Sequence, residues 1–183
     1  MSLPPPTLSS DPTAVRVWDP FVRIFHWSLV ACVLTNYFAI DDGKDIHQWV
    51  GYTASALVTL RTVWGFIGTR HARFADFFPT PSRLRAHFAA LREGRREHYV
   101  GHNPLGALMM LALMAVVLGL GLTGFLQTTD TFWGEEWLQS LHAWLGSALI
   151  ALAGLHAVAA IAMGRIERTN LVAAMVTGVK RRT

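Results

Sequence analysis

The sequence predicts an all-α membrane protein: a four-transmembrane-helix bundle with an interfacial amphipathic segment between helices 2 and 3. Of its 183 residues, 52% are hydrophobic and only 15% are charged, whereas soluble domains carry about 25% charged residues. The charged residues are also nearly excluded from four apolar blocks, each close to the roughly 20 helical residues that cross a bilayer; the first two blocks contain one arginine each, and the last two contain no Asp, Glu, Lys or Arg. A helix is expected because it satisfies its own backbone polar groups in lipid.

The four predicted spans are separated by links of different length. They cover about residues 21–40, 46–67, 105–126 and 138–163. Asp19 and Asn103 each precede a proline, which predicts an N-cap and a first-turn proline for the first and third helices. The link at 41–45 is short and polar, so the first two helices should be antiparallel neighbours. The longer link at 69–102 carries an apolar spacing typical of an amphipathic helix at the membrane surface, at Leu84, Phe88 and Leu91.

The rest of the composition limits the domain organisation and the function. We expect a flexible tail at 1–15, a single transmembrane domain at 16–175 and a basic tail at 176–183, with no signal peptide. Cys32 is the one cysteine, which excludes a disulfide framework, a thiolate metal site and covalent c-type haem. The net charge of +4 is not accompanied by a nucleic-acid-binding module, so no nucleic acid is expected as a partner.

The distribution of charged residues predicts how the protein is oriented in the membrane. Every Lys and Arg except Lys44 falls in or near the segments at the end that holds both termini, here called the basic end. Both links at the opposite, acidic end carry carboxylates, at Asp41, Asp42, Asp45, Asp130, Glu135 and Glu136. The positive-inside rule therefore predicts a multi-pass protein of the bacterial inner membrane with both termini in the cytoplasm.

Four of the eight histidines fall in the predicted spans, where an ionisable side chain is costly and indicates function. They are His26, His47, His142 and His156. His71, His87, His98 and His102 lie in or beside the long link, where a solvated histidine is ordinary. His102 is expected to cap or anchor the third helix, with a role near a quinone or a haem propionate as the alternative.

The spacing of these histidines predicts two sites at different depths. His142 and His156 are 14 residues apart, which is about 21 Å along a helix and about 40° short of four full turns. One metal ion cannot use ligands that far apart, but two haems stacked across a bilayer can. By depth, His47 pairs with His142 near the acidic end, and His26 pairs more loosely with His156 nearer the basic end.

Small residues near the ligands would leave room for a macrocycle. Gly51 follows His47 by four positions and Gly146 follows His142 by four, whereas Val30 and Ala160 hold those positions in the second pair. Both glycines are therefore predicted to lie against a cofactor. Arg23 and Arg61, near the basic end, are expected either to snorkel to the membrane surface or to pair with haem propionates.

Two other interpretations of the histidines remain open. Each could be satisfied by hydrogen bonds between helices. Alternatively, the chain could be a haem-free anchor or a transporter whose histidines bind a metal ion or relay protons. Transport would predict charged residues at mid-membrane, and the third and fourth blocks contain none.

Several motifs together resemble the bacterial cytochrome b561 family and the related cytochrome b subunits of nickel-iron hydrogenases. They are Trp18-Asp19-Pro20-Phe21-Val22-Arg23-Ile24-Phe25-His26-Trp27, His47-Gln48-Trp49-Val50-Gly51, Gly101-His102-Asn103-Pro104, Leu141-His142 and Leu155-His156. The resemblance covers about residues 15–175. It implies a four-helix cytochrome with two haem b groups that exchanges electrons with a quinone pool, and its ligand positions match the four histidines of the spans.

The expected function is electron transfer between a periplasmic redox partner and the quinone pool. An iron with two imidazole ligands has no open position, so the site suits outer-sphere electron transfer rather than oxygen binding. The acidic links should attract a cationic cytochrome c or a partner subunit. The resemblance leaves two alternatives open, a superoxide:quinone oxidoreductase and a hydrogenase anchor subunit. The chain is accordingly an electron-transfer protein or a quinone-linked oxidoreductase, in contact with membrane lipid and with its oligomeric state open.

Overall fold

The computed structural model describes residues 14–41, 44–95, 99 and 101–181. Its frame is four long helices: α1 (Pro20–Phe38), α2 (Asp45–Ile67), α5 (Pro104–Leu126) and α6 (Glu136–Ile166). Shorter elements fill the connections: a 3-10 turn (Arg70–Ala72), α3 (Phe74–Phe77), α4 (Pro81–Arg92) and α7 (Leu171–Thr177). Two short strands, β1 (Ala14–Arg16) and β2 (Val179–Arg181), pair antiparallel.

The predicted helix starts are confirmed. The Asp19 carboxylate accepts the Val22 N–H at 2.9 Å, and the Asn103 side-chain oxygen accepts the Gly106 N–H at 2.7 Å. Each satisfies one of the backbone donors that a helix leaves free in its first turn. Both caps stand at the end of the bundle that holds the β1–β2 ribbon, so they set the same starting level for α1 and α5.

The long helices form an up-down-up-down bundle. α1 packs on α2, α2 on α5 and α5 on α6. Between them lies an apolar core, formed by Phe25, Ala54, Val58, Met114, Val117 and Leu149. This arrangement places the α1–α2 and α5–α6 links at the acidic end, and the β1–β2 ribbon, α3, α4 and α7 at the basic end.

The all-α prediction holds for the bundle, and the ribbon is an addition to it. Ala14 pairs with Arg181 and Arg16 with Val179, so the described ends of the chain are joined to each other. Residues 176–183, predicted to be a basic tail, include the strand at 179–181. Residues 1–13 of the predicted N-terminal tail lie outside the described part of the chain.

Three helices of the described chain are long and apolar enough to cross a membrane: α1, α5 and α6. α2 is as long as α5, at 23 residues, but it is less apolar because it carries Arg61 and several hydroxyl side chains. Large hydrophobic side chains are exposed around the bundle, including Ile24 at 68%, Phe66 at 70% and Val158 at 64%. An exposed apolar surface of this extent is typical of a protein that contacts lipid hydrocarbon.

Candidate functional site

The structure brings His47 and His142 together at the acidic end. His47 lies in the first turn of α2 and His142 in the second turn of α6. Both are partly buried, and their ring centres are 6.2 Å apart, with the ring planes inclined at 61°. The two helices bring these rings to one level although 95 positions separate them in the sequence.

The second pair forms nearer the basic end. The ring centres of His26 on α1 and His156 on α6 are 6.5 Å apart and their planes are inclined at 54°. The Nδ1 atom of His26 is buried and has no hydrogen-bond partner within the described residues. Sequence depth predicted a looser match for this second pair, but its two rings are nearly as close together as those of the first pair.

Thr123 on α5 is part of the acidic-end site, and sequence analysis missed it. Its Oγ1 lies 2.8 Å from His142 Nδ1 and 2.8 Å from the Gly119 carbonyl oxygen. The side chain is only 6% exposed. A lone threonine in an apolar helix has no periodic signal, since its role depends on how α5 is rotated against α6.

Several glycines lie beside the acidic-end pair. Among the described residues, a methyl group on Gly51 would meet only the Asn36 amide nitrogen, at 3.7 Å, and one on Gly146 would meet only Tyr37, at 4.0 Å. Both glycines thus face the acidic end of α1 at ordinary contact distance, and their predicted cofactor role stays a prediction. A methyl on Gly124 would lie 3.3 Å from His142 Cε1, so this glycine lets the ring approach α5 closely.

Arg61 does not snorkel, because its side chain is 1% exposed. One of its terminal nitrogens, Nη2, donates to the Ala72 carbonyl at 3.0 Å, and the guanidinium lies over the Phe74 ring at 5.6 Å. The other, Nη1, is buried without a hydrogen-bond partner in the described chain. The buried Nε of Arg23 likewise lacks a partner there. The basic end therefore contains two buried guanidinium donors that an anion would satisfy.

His102 is partly buried between aromatic rings. Its ring lies between Trp18 and Phe77, with centroid distances of 4.7 and 4.8 Å. Burial lowers the pKa of His102 to about 3, and the positive charges of Arg61 and Lys180 act in the same direction, so the imidazole is neutral at pH 7. Asn103, not His102, supplies the cap of α5.

The other histidines of the long link differ from one another. His87 is 3% exposed on the inner face of α4, although sequence analysis places it among the solvated histidines. His71 contacts the Asp76 carboxylate at 3.1 Å. His98 lies outside the described residues.

The fold and site define a class of protein: a multi-pass membrane protein in which histidines of different helices face one another in pairs. The sequence matches the family described as prokaryotic cytochrome b561 over residues 17–178, and the chain belongs to that family. The family consists of b-type cytochromes, which implies haem b and electron transport. The chain is thus a cytochrome b561-family membrane cytochrome.

Curated relatives extend this finding. The chain is 25% identical over 213 aligned positions to a protein of Azotobacter vinelandii named "Probable Ni/Fe-hydrogenase B-type cytochrome subunit", with 91% of this chain and 88% of the relative covered. Proteins with the same name are 27% identical in Azotobacter chroococcum mcd 1, covering 73% and 67%, and 23% identical in Rhizobium leguminosarum bv. viciae, covering 90% and 88%. No solved structure matches.

Proposed function

We propose that the chain carries two haem b groups, one between His47 and His142 and one between His26 and His156, and transfers electrons between the quinone pool and a periplasmic redox partner. The observation that carries this proposal is the separation of the imidazole rings, 6.2 and 6.5 Å, at two levels of one bundle. α6 supplies one ligand to each level.

The ring separations fit an iron atom between each pair. A ligating ring nitrogen lies about 2.0 Å from its metal and the ring centre roughly 1.1 Å further back, so two imidazoles on opposite sides of one iron have centres about 6.2 Å apart. Two imidazoles that hydrogen-bond directly would have centres about 5 Å apart. The observed values support ligation over direct hydrogen bonding between the rings.

The number of ligands also favours haem over a bare metal ion. Each level offers two imidazoles, whereas a protein site for a free ion typically uses three or four side chains. Haem brings its remaining ligands with its own porphyrin. Held by these histidines, it would supply a one-electron redox couple.

Arg61 and Arg23 are suited to hold the propionates of the haem at the basic end. Arg61 Nη1 and Arg23 Nε are buried donors without partners in the described chain, and a carboxylate is the acceptor that a guanidinium binds best. Arg23 precedes His26 by one helical turn. The hydrogen bond from Arg61 to the Ala72 carbonyl keeps this side chain in place.

We infer that α2 also crosses the membrane, which gives four transmembrane helices together with α1, α5 and α6. Its threonine and serine hydroxyls are satisfied within the helix, because each donates to the carbonyl four positions earlier; these residues are Thr53, Ser55, Thr59 and Thr62. Arg61 is buried against protein rather than lipid. The polar groups that lower its hydropathy are therefore compatible with a hydrocarbon environment.

We further propose that the basic end faces the bacterial cytoplasm and the acidic end the periplasm, as the positive-inside rule predicts. Trp49, Trp133 and Trp137 near the acidic end are 70%, 77% and 55% exposed, as in an aromatic belt. The carboxylates at that end favour a cationic protein partner over superoxide. The names of the curated relatives make a hydrogenase the second candidate partner.

The function is tested by electron transfer in sealed proteoliposomes. Oriented full-length protein should oxidise a quinol in the bilayer and reduce cytochrome c on the acidic side only, with rates that fall as salt rises. His142→Ala and His156→Ala should each abolish the transfer. Faster reaction with superoxide than with cytochrome c at low salt would contradict the proposed partner, and transfer that survives both substitutions would contradict the route through the histidine pairs.

A further inference from the structure

We propose that Thr123 is a positioning residue for the acidic-end site. Its hydroxyl accepts a hydrogen bond from Nδ1–H of His142, and this bond orients the ring so that Nε2 faces the metal. The same hydrogen bond lowers the reduction potential of the acidic-end haem. This inference rests on the proposed function. It adds a residue from α5, a helix that supplies none of the four histidines.

The hydrogen atoms around Thr123 determine which group donates. A hydroxyl has one hydrogen, and the Gly119 carbonyl at 2.8 Å and the Leu120 carbonyl at 3.2 Å can only accept it. Donation to the carbonyl four residues earlier is the usual arrangement for a helical threonine. Since its hydrogen goes to the helix, Thr123 Oγ1 faces His142 Nδ1 as an acceptor at 2.8 Å.

This arrangement selects one tautomer of His142. A neutral imidazole with its proton on Nδ1 has its lone pair on Nε2. Metal-ligating histidines regularly donate their other N–H to a fixed acceptor, which sets the ring orientation and makes the ligand more basic. Thr123 is suited to this role because it is buried and its own rotamer is held by the hydrogen bond to Gly119.

Gly124 makes the contact sterically feasible. A methyl group there would come within 3.3 Å of His142 Cε1, tighter than side chains normally approach. The Thr123-Gly124 dipeptide therefore combines a hydrogen-bond acceptor with the space that the ring needs. At the basic end, by contrast, the buried Nδ1 of His26 has no acceptor within the described residues.

The hydrogen bond should lower the reduction potential of the acidic-end haem because it makes the His142 ligand more basic. A hydrogen bond to Nδ1 increases the electron density on the ring and stabilises ferric over ferrous iron. Removing the acceptor should raise the potential of the acidic-end haem and leave the other unchanged. We expect a three- to tenfold change in the ferric/ferrous equilibrium, which is roughly 30–60 mV for a one-electron couple.

The test is a spectroelectrochemical titration of full-length protein in detergent, with electron paramagnetic resonance of the ferric state. The wild-type chain must first show two b haems, and its failure to do so would overturn the proposed function rather than this inference. In Thr123→Val, one of the two midpoint potentials should rise by the stated amount and the low-spin signal of that haem should shift. Thr123→Ser keeps the hydroxyl and should restore both values.

Thr59→Val is the matched control, because within the described chain the Thr59 hydroxyl donates to its own helix, at the Ser55 carbonyl, and neither potential should move. Selective loss of the acidic-end haem in Thr123→Val would support the inference as well. Should that variant not assemble, Thr123→Ala removes the same acceptor with a smaller side chain. Two retained haems with both potentials at the wild-type values in Thr123→Val or Thr123→Ala would overturn the proposal.

Discussion

α5 packs tightly against Ser55 of α2 at Gly121, and Gly121→Ala tests how that contact supports the acidic-end site. The added methyl group would lie 2.9 Å from Ser55 Cβ and closer still to Ser55 Oγ. Carbon atoms in ordinary contact are about 3.5–4.0 Å apart. Rotation of the Ser55 hydroxyl cannot relieve the clash with Cβ, so the two helices must move apart by roughly 0.6–1 Å.

That displacement should cost stability and loosen the site. Overpacking of this kind costs about 1–3 kcal/mol. His47 is carried by α2, and His142 contacts Thr123 on α5. A shift of α5 against α2 should therefore change the 6.2 Å separation of the two rings. We expect a lower melting temperature and preferential loss of the acidic-end haem.

A double-mutant cycle with Ser55→Gly isolates the contact. Ser55→Gly removes both clashing atoms, at a cost of about 0.5–1 kcal/mol for a glycine within a helix. The double variant should recover most of the loss, with a coupling energy of about 1–3 kcal/mol. Gly154→Ala is the matched control, because a methyl group there meets no atom of the described chain within 4 Å. The reasoning is refuted if Gly121→Ala melts and binds haem like Gly154→Ala, or if Ser55→Gly does not rescue it.

Three further substitutions test the basic end and the α5–His142 contact. Arg61→Met removes a buried donor to the Ala72 carbonyl; it should cost about 1.5–3 kcal/mol and weaken retention of the basic-end haem, and Arg61→Lys should rescue it only in part. Unchanged haem dissociation in Arg61→Met would argue against propionate binding. Lys180→Met removes two hydrogen bonds, to the Tyr99 and Gly101 carbonyls at 3.0 Å, and should lower the melting temperature; a melting temperature equal to that of the wild type would contradict a role in fixing this loop. Gly124→Ala should broaden the spectrum of the acidic-end haem alone, whereas a change in the other haem would contradict the assignment.

The levels of the four histidines could be predicted because helix geometry converts sequence spacing into depth. His47 and His142 both lie a few residues from the acidic-end start of their predicted spans, so a rise of about 1.5 Å per residue suffices to match them in depth. The match of His26 with His156 is less obvious, since helix tilt changes depth and is not encoded locally. The resemblance of the motifs to the cytochrome b561 family pointed to the same four positions.

The remaining features depend on contacts that only the folded chain defines. The β1–β2 ribbon joins residues more than 160 positions apart, and its strands are too short to show a periodic pattern. The burial of Arg61 depends on the 3-10 turn and α3 folding over the end of α2. Thr123 and Gly121 acquire their roles from the rotation of α5, which an apolar sequence without charges does not reveal.

The central claim, that the histidines work in two defined pairs, is tested most directly by quantifying haem in the four single His→Ala variants of the full-length protein. Wild-type protein should contain two low-spin b haems per chain. His47→Ala and His142→Ala should lose the same haem, identified by its potential and spectrum, and His26→Ala and His156→Ala should lose the other. Loss of different haems by His47→Ala and His142→Ala, or retention of both haems in all four variants, would contradict the account.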